Sequence, residues 1–238
     1  MTIRDPHGQP ERGRGLTVLL IGYGRMGRMV EELARDEGLD VAGRVDIDNV
    51  ADEWPAADVA VDFSTADAVL ANVSRLAARG TSVVIGTTGW GAREAELRAV
   101  AEAAGIGVVA SANFSIGVNL FLLIAAEAGP RLAGHPEYGA WIHDAHHAAK
   151  RDAPSGTALL LRDVLSGAGF DRAIDMSSTR AGMIPGVHTI GFDGASDTIE
   201  LTHTARDRRG FARGALLAAR WIQGRRGWYS MTDVLAGL

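Results

Sequence analysis

The chain has 238 residues, 47% hydrophobic and 22% charged, the balance of a globular protein long enough for one large domain or two modest ones. A net charge of −5 leaves no broad basic field for a nucleic acid, and the lack of cysteine excludes disulfides, thiolate chemistry and Cys-ligated metals. No apolar run reaches the roughly 18 residues of a membrane span, the richest being Leu120 to Ala126, and 4–15 is polar rather than signal-like, so a flexible arm over 1–15, a cytoplasmic location and no membrane partner are expected.

Taken in chain order, Thr17 to Ile21 is a short apolar run, followed by a glycine cluster and then by helical spacing from Met26 to Arg35. Further strands are predicted at 41–45, 59–63, 82–85 and 107–110, with helices at 66–78 and 92–104. Val69, Val73, Leu76 and Ala77 share one face of the first of these helices. Such alternation implies a parallel sheet covered on both faces. The pattern changes after Phe114. A very apolar helix is predicted over 118–128, ended by Gly129 and Pro130. Then come a strand at 138–144, a helix at 157–165, strands at 187–192 and 198–204, and a long final helix at 211–222. In 198–204 polar Thr198, Glu200, Thr202 and Thr204 alternate with Ile199, Leu201 and His203, which suggests an antiparallel sheet with one polar face.

The glycine cluster is Gly22, Tyr23, Gly24, Arg25, Met26 and Gly27, placed between a strand and a helix. The first glycine permits a tight turn, the second admits a pyrophosphate to the backbone, and the third lets helix and strand pack closely. Phosphates would rest on free amides at the positive end of the helix. Asp46, at the end of the second strand, stands where a carboxylate accepts ribose hydroxyls. The expected fold is therefore α/β. A Rossmann-type doubly wound parallel sheet spans 16–114 with 211–238, and an α+β domain with a mixed, largely antiparallel sheet spans 115–210. NADH, NADPH or both are the expected cofactors. Asp46 and Asp48 repel a 2′-phosphate, with Arg25 or Arg44 available to offset them, so NADH is expected to serve at least as well.

Three polar clusters follow strands of the parallel sheet: Asp62 to Thr65; Gly86, Thr87, Thr88 and Gly89; and Ser111, Ala112, Asn113 and Phe114. In open parallel sheets ligands bind beyond these strand ends. Any one cluster reads equally well as turn chemistry, with Asp62 or Ser64 capping a helix. Three in succession favour a nicotinamide ribose and carboxamide.

The densest chemistry lies between His143 and Thr157, where His143, Asp144, His146, His147 and Lys150 precede Pro154, Ser155, Gly156 and Thr157. The bland reading is surface histidines before a helix capped by Ser155. A metal site is disfavoured because Lys150 would repel the cation, so no metal is expected. A serine nucleophile would need an elbow pattern that is missing here. The remaining reading is anion binding with acid catalysis. The Gly156 and Thr157 amides hold a carboxylate, His147 and Lys150 add positive charge, and His146 moves a proton near neutral pH.

At these residues the chain resembles the 4-hydroxy-tetrahydrodipicolinate (dihydrodipicolinate) reductases of bacterial lysine and diaminopimelate biosynthesis. That family carries a His-His-x-x-Lys-x-Asp-x-Pro-Ser-Gly-Thr-Ala signature, matched from His146 to Ala158 at every fixed position. The likeness continues through 24–27, 62–63, 86–89, 113–119, 188–189 and 231–235. It implies hydride transfer from a nicotinamide cofactor to the conjugated imine of a cyclic dicarboxylate, after loss of a hydroxyl group as water. His146 would be the proton donor/acceptor, Lys150 a second donor, and His147, Gly156 and Thr157 the carboxylate site. Gly22 to Gly27, Asp46, Gly86 to Thr88 and Ser111 to Phe114 would hold the dinucleotide. A homotetramer joined through the second domain's sheet, with hinge closure, is also implied.

Departures from the family pattern are specific. The glycine turn is one residue shorter than in many members, and Ala148 and Ala149 replace bulkier, often basic residues. Ile47 stands where some members carry a base, which weakens the case for NADPH. Arg208, in the basic run 206–213, is a candidate substrate-facing arginine, and a solvated basic loop accounts for it equally well. A dinucleotide sensor of the same fold would need neither His146 nor Lys150, and an amino-acid dehydrogenase would lack the Pro-Ser-Gly-Thr cradle.

Overall fold

Short runs of Val, Ile, Leu and Ala become strands buried on both faces, because only a sheet covered by helices on each side hides such runs completely. The computed structural model describes residues 15–50 and 52–238, so the expected arm lies outside the described residues except for Gly15. The chain divides into two units, one running to Phe114 and resuming over Phe211–Leu238, the other Ser115–Gly210.

In the first unit β1 (Leu16–Ile21), β2 (Leu39–Val45), β3 (Val59–Asp62), β4 (Ser82–Ile85), β5 (Gly107–Ala110) and β10 (Gly227–Tyr229) form one sheet in the order β10-β5-β4-β3-β1-β2. Every pairing is parallel. Its helices are α1 (Arg25–Ala34), α2 (Val69–Ala77), α3 (Glu94–Ala104), α6 (Arg209–Ile222, from Phe211 onward) and α7 (Met231–Ala236). The α2 face is as its spacing predicts, with Val69, Val73, Leu76 and Ala77 all buried in the core against β1, β3 and β4 residues. Helix α6 sits so close that a Cβ on Gly214 would lie 1.7 Å from the Phe114 carbonyl oxygen. Strand β10 and helix α7 have no counterpart in the predicted elements. Three residues of strand are too few to show a period, and α7 is announced by its cap, where Ser230 and Asp233 form a reciprocal capping box.

The second unit carries α4 (Ile116–Ala133) and α5 (Gly156–Gly167) with a sheet ordered β7-β6-β8-β9, from β6 (Gly139–His146), β7 (Ile174–Arg180), β8 (Val187–Asp193) and β9 (Thr198–Thr204). β6 pairs with β7 in parallel and with β8 antiparallel, and β8 with β9 antiparallel, so the sheet is mixed and mostly antiparallel. Phe121, Ala125, Ile142, Leu161, Leu165, Phe170, Ile190 and Phe192 fill its core.

Two predictions fail here for physical reasons. Helix α4 runs through Gly129 and Pro130 instead of stopping. A Cβ at Gly129 would lie 3.2 Å from the Ala168 Cβ, so this glycine serves close packing beside α5. Pro130 falls in the exposed last turns, where Arg131 donates to the Glu127 carbonyl. The full 18-residue α4 has a mean hydropathy of 1.4, enough by length and composition to cross a membrane. Its buried face nevertheless belongs to a core, and Asn119, Glu127 and Arg131 interrupt the apolar run. The strand β7 was unpredicted because Ser177, Ser178 and Thr179 mask the Ile174–Met176 alternation.

Candidate active site

In the first unit, the β1–α1 turn is built around three glycines with different duties. Gly22 has φ +83, and a Cβ there would meet the Phe63 carbonyl oxygen at 2.4 Å; a Cβ on Gly27 would meet the Gly22 oxygen at 2.2 Å. Gly24 has neither constraint: its φ is −76 and nothing lies within 4 Å of its Cβ position. The backbone at Gly24 is therefore bare toward solvent, and α1 has no side-chain cap on its first amides. Those amides and that opening fit a dinucleotide pyrophosphate. Arg25 is exposed, and Met26 and Tyr23 are half-buried. Asp46 accepts the Tyr23 amide at 3.3 Å, which places its carboxylate beside the turn. Arg44 is already engaged: its guanidinium pairs with Glu31, which also accepts the Tyr23 hydroxyl. The guanidinium carbon lies 5.2 Å from the Tyr23 ring centre, with that of Arg28 at 5.6 Å. The Arg44 pair holds the Glu31 carboxyl below its ordinary value.

The strand-end clusters are organised by one buried carboxylate. Asp62 accepts from the Ser64 amide (2.9 Å) and hydroxyl (2.7 Å), the Asn72 amide (2.9 Å) and the Thr87 hydroxyl (2.8 Å). It caps no helix, because α2 begins at Val69 after Ala68 with no side-chain cap. Thr87 has its amide on the Asp62 carbonyl and its own carbonyl on Trp90, so what it offers a ligand is shape. Gly86 packs under Phe63, where a Cβ would lie 2.1 Å from the ring. The Ser111 hydroxyl closes its own loop onto Asn113, Ala112 is exposed, and buried Phe114 meets Phe63 edge to face at 6.4 Å. A cavity of about 410 Å³ opens here, lined by Thr87, Thr88, Trp90, Ser111, Ala112 and Trp228.

In the second unit, strand alternation divides the histidine cluster. His143 faces one side of β6, its Nδ1 2.8 Å from the Ser177 hydroxyl. Asp144 and His146 share the other side. Asp144 is wholly buried; it accepts from the Ser178 hydroxyl at 2.5 Å and from Arg180 Nη2 at 2.9 Å. His146 Nδ1 lies 3.0 Å from Asp144 Oδ2, at ion-pair distance but off the line of a good hydrogen bond. Burial would raise the Asp144 carboxyl, but Ser178 and Arg180 hold it below the ordinary carboxylate value. Burial lowers the His146 imidazole, Lys150 and Arg180 push the same way, and Asp144 opposes them.

The His188 ring lies 5.0 Å from that of His146, and its Nε2 is 3.1 Å from the Ser155 hydroxyl. Burial first, then the His146 charge, pushes His188 down to about 4. Ser155 caps α5 by accepting the Ala158 amide at 3.2 Å. That leaves the Gly156 and Thr157 amides, at the first two helical positions, with no carbonyl ahead of them in the helix. Nothing lies within 4 Å of a Cβ position on Gly156, so the approach to these amides is open. Lys150 Nζ is held by both Asp152 oxygens, at 2.8 and 2.9 Å. His147, Ala148 and Ala149 are exposed on the turn between them, and the His147 carbonyl accepts the Lys150 amide. Arg208 precedes α6, beside Asp207, which accepts the Arg209 amide.

Asp144, His146 and His188 also bring three metal-ligating atoms within 4.8 Å of one another. Arg180 already occupies Asp144, so a cation would have to displace a guanidinium.

The dihydrodipicolinate reductase family models match residues 16–114 (N-terminus) and 117–235 (C-terminus). The chain belongs to the dihydrodipicolinate reductase family. It is 34% identical over 236 residues to the 4-hydroxy-tetrahydrodipicolinate reductase of Christiangramia forsetii, covering 94% of this chain and 99% of that one. To the Myxococcus xanthus reductase of the same name it is 41% identical over 198 residues, 75% and 72% of the two chains. In fold it resembles a dipicolinate-bound dihydrodipicolinate reductase from Paenisporosarcina sp. TG-14, with a TM-score of 0.76, 21% identity and coverage of 91% and 97%.

Four residues that pack against the predicted site residues were given no role by the sequence: Asp144, Ser178, Arg180 and Asp152. A period-two pattern around His146 puts Asp144 on the same face, which was a usable signal. Ser178 and Arg180 arrive only through the β6–β7 register, where Asp144 pairs with Ser178 and His146 with Arg180.

Proposed function

We propose that this chain reduces 4-hydroxy-tetrahydrodipicolinate to tetrahydrodipicolinate with NADH or NADPH, in the diaminopimelate route to lysine. The observation that carries the proposal is that His146, acted on by the Lys150 charge, meets the His188 ring edge to face at 5.0 Å, and His188 reaches the Ser155 hydroxyl at 3.1 Å where α5 begins with the open amides of Gly156 and Thr157; a glycine cradle fit for a dinucleotide lies in the other unit.

With its pyrophosphate on the cradle of Gly22 to Gly27, a reduced dinucleotide would supply the hydride from its nicotinamide ring. Asp46 would hold the adenosine ribose hydroxyls, and the loops at Gly86 to Thr88 and Ser111 to Phe114 would seat the nicotinamide end of the cofactor. The Gly156 and Thr157 amides, with His147, take one substrate carboxylate at the positive end of α5. The substrate's hydroxyl group departs as water, and a proton from the protein completes reduction of the conjugated imine. Lys150 reaches the reaction as a cation, released from Asp152. His146, lowered by burial, is mostly neutral near pH 7, which suits it to accept and hand on a proton. A soluble cytoplasmic homotetramer without nucleic-acid or membrane partners belongs to the same proposal.

The test is a coupled assay supplying pyruvate, aspartate semialdehyde and a dihydrodipicolinate synthase, followed by loss of NADH or NADPH absorbance. Consumption above the enzyme-free control is expected, and none would overturn the proposal.

A further inference from the structure

A carboxylate with no exposed surface is costly unless it is paired and hydrogen-bonded. Asp144 meets that condition with three neighbours fixed by the sheet. It faces Ser178 across β6–β7, Arg180 stands at the next same-face position of that register, and His146 is two residues along its own strand. One oxygen, Oδ2, is shared by Arg180 Nη2 at 2.9 Å and His146 Nδ1 at 3.0 Å. Arg180 cannot swing away easily, because it also donates to the backbone carbonyls of Asp152 (2.6 Å) and Thr179 (2.7 Å).

An ion pair that merely ties β6 to β7 would need only Asp144 and Arg180. His146 Nδ1 adds something a strut does not require. It is buried, it has no hydrogen-bond partner, and an anionic oxygen is the polar atom facing it. A lone pair on Nδ1 would be repelled by a carboxylate oxygen 3.0 Å away even off the hydrogen-bond line, so the proton belongs on Nδ1 and the lone pair on Nε2. The ring keeps 12% of its side-chain surface exposed although Nδ1 itself is buried. Beside Nε2 stands Gly186, with φ +119, where a Cβ would already touch Nε2 and Cδ2 at 3.4 Å, so the missing side chain is what leaves room at that edge.

We propose that Asp144 is a positioning residue for the reaction: it fixes His146 as the Nδ1–H tautomer and so presents Nε2 to the substrate, with Arg180 and Ser178 tempering its hold. This rests on the role given to His146 above. The charged and titratable groups around the ring are Asp144 on its own strand, Arg180 from β7, His188 from β8 and Lys150 from the turn before α5; Asp144 alone among them favours the imidazolium.

The arrangement makes opposite demands on two variants, which a structural strut does not. In D144N the His146 titration midpoint moves down, because the one favourable charge is gone. In R180M it moves up, because Asp144 then acts on His146 undiluted. Nitrogen chemical shifts of the labelled imidazole read the midpoint and the tautomer together, without substrate. For D144N we expect loss of the single Nδ1–H form and a fall in kcat of about tenfold or more, with NADH affinity unchanged. Should D144N not fold, S178A and R180M both keep the carboxylate and both must raise the midpoint. Unmoved midpoints, shifts of the same sign in D144N and R180M, or an Nε2–H tautomer in the unaltered protein would overturn the proposal. Because the titration needs no turnover, its failure beside a positive coupled assay condemns only the role of Asp144. A silent assay beside the expected shifts condemns only the reaction.

Discussion

Lys150 and Asp152 form a two-point ion pair, Nζ to Oδ1 at 2.8 Å and to Oδ2 at 2.9 Å, that parks the lysine two residues from its partner. In the proposed reaction a substrate anion would have to compete with Asp152 for this lysine. Lys150→Ala should lower kcat by about 10²–10⁴-fold, the usual worth of a positioned proton donor, while leaving NADH binding nearly intact. Steady-state kinetics with a separate fluorescence titration of NADH would separate the two. Unchanged turnover would remove Lys150 from the mechanism.

If Asp46 sets the cofactor preference as proposed, Glu31 should share in it through Arg44. Arg44 stands on β2 two residues before Asp46, but its guanidinium is committed to Glu31. With Asp46 and Asp48 repelling a 2′-phosphate, NADH should be used at least as efficiently as NADPH. Glu31→Gln should free Arg44 and raise kcat/KM for NADPH while that for NADH stays put. A strong NADPH preference in the unaltered protein would contradict this.

Glycines of the turn should fall into two kinds. At Gly24 a methyl meets open space, so Gly24→Ala should leave the melting temperature unchanged yet weaken NADH, because the methyl projects where the pyrophosphate approaches. At Gly214 the methyl collides with a backbone oxygen that cannot swing aside, and Gly214→Ala should cost at least about 2 kcal/mol of stability. Thermal melts beside cofactor titrations distinguish them, and equal effects on both readouts would contradict the assignment.

Acid should destabilise the second unit through its histidines. His188 is neutral in the fold because burial pushes it down to about 4, whereas an unfolded histidine takes its proton near 6.5. Its contribution is fully present above about pH 6.5 and is lost as pH falls toward about 4, on the order of 3 kcal/mol. His146 and His203, also lowered by burial, act in the same window. Urea denaturation should therefore show stability falling between pH 6.5 and 4.5, with a shallower slope in His188→Asn. An identical slope in the variant would contradict this.

The first unit was largely legible in the sequence because its signals are local. Fully apolar runs mark buried parallel strands, and the spacing of Gly22, Gly24 and Gly27 marks the turn between β1 and α1. The second unit was less legible because its decisive contacts join distant residues. Polar β7 looks like a loop until its register sets Ser178 and Arg180 against Asp144 and His146. Gly129 and Pro130 read as a helix stop until α5 supplies the neighbour that requires the glycine. His146 and Lys150 could be picked out by type and spacing, and Asp144 by its same-face position, whereas what Asp144 and Asp152 hold emerged only with side-chain geometry.

The most direct measurement follows the hydride itself. With cofactor deuterated at the transferable nicotinamide position and substrate generated in situ, mass spectrometry should find one deuterium in tetrahydrodipicolinate, and far less product with Lys150→Ala. Cofactor oxidation that leaves the product unlabelled, or labelled product formed equally by the variant, would contradict the account.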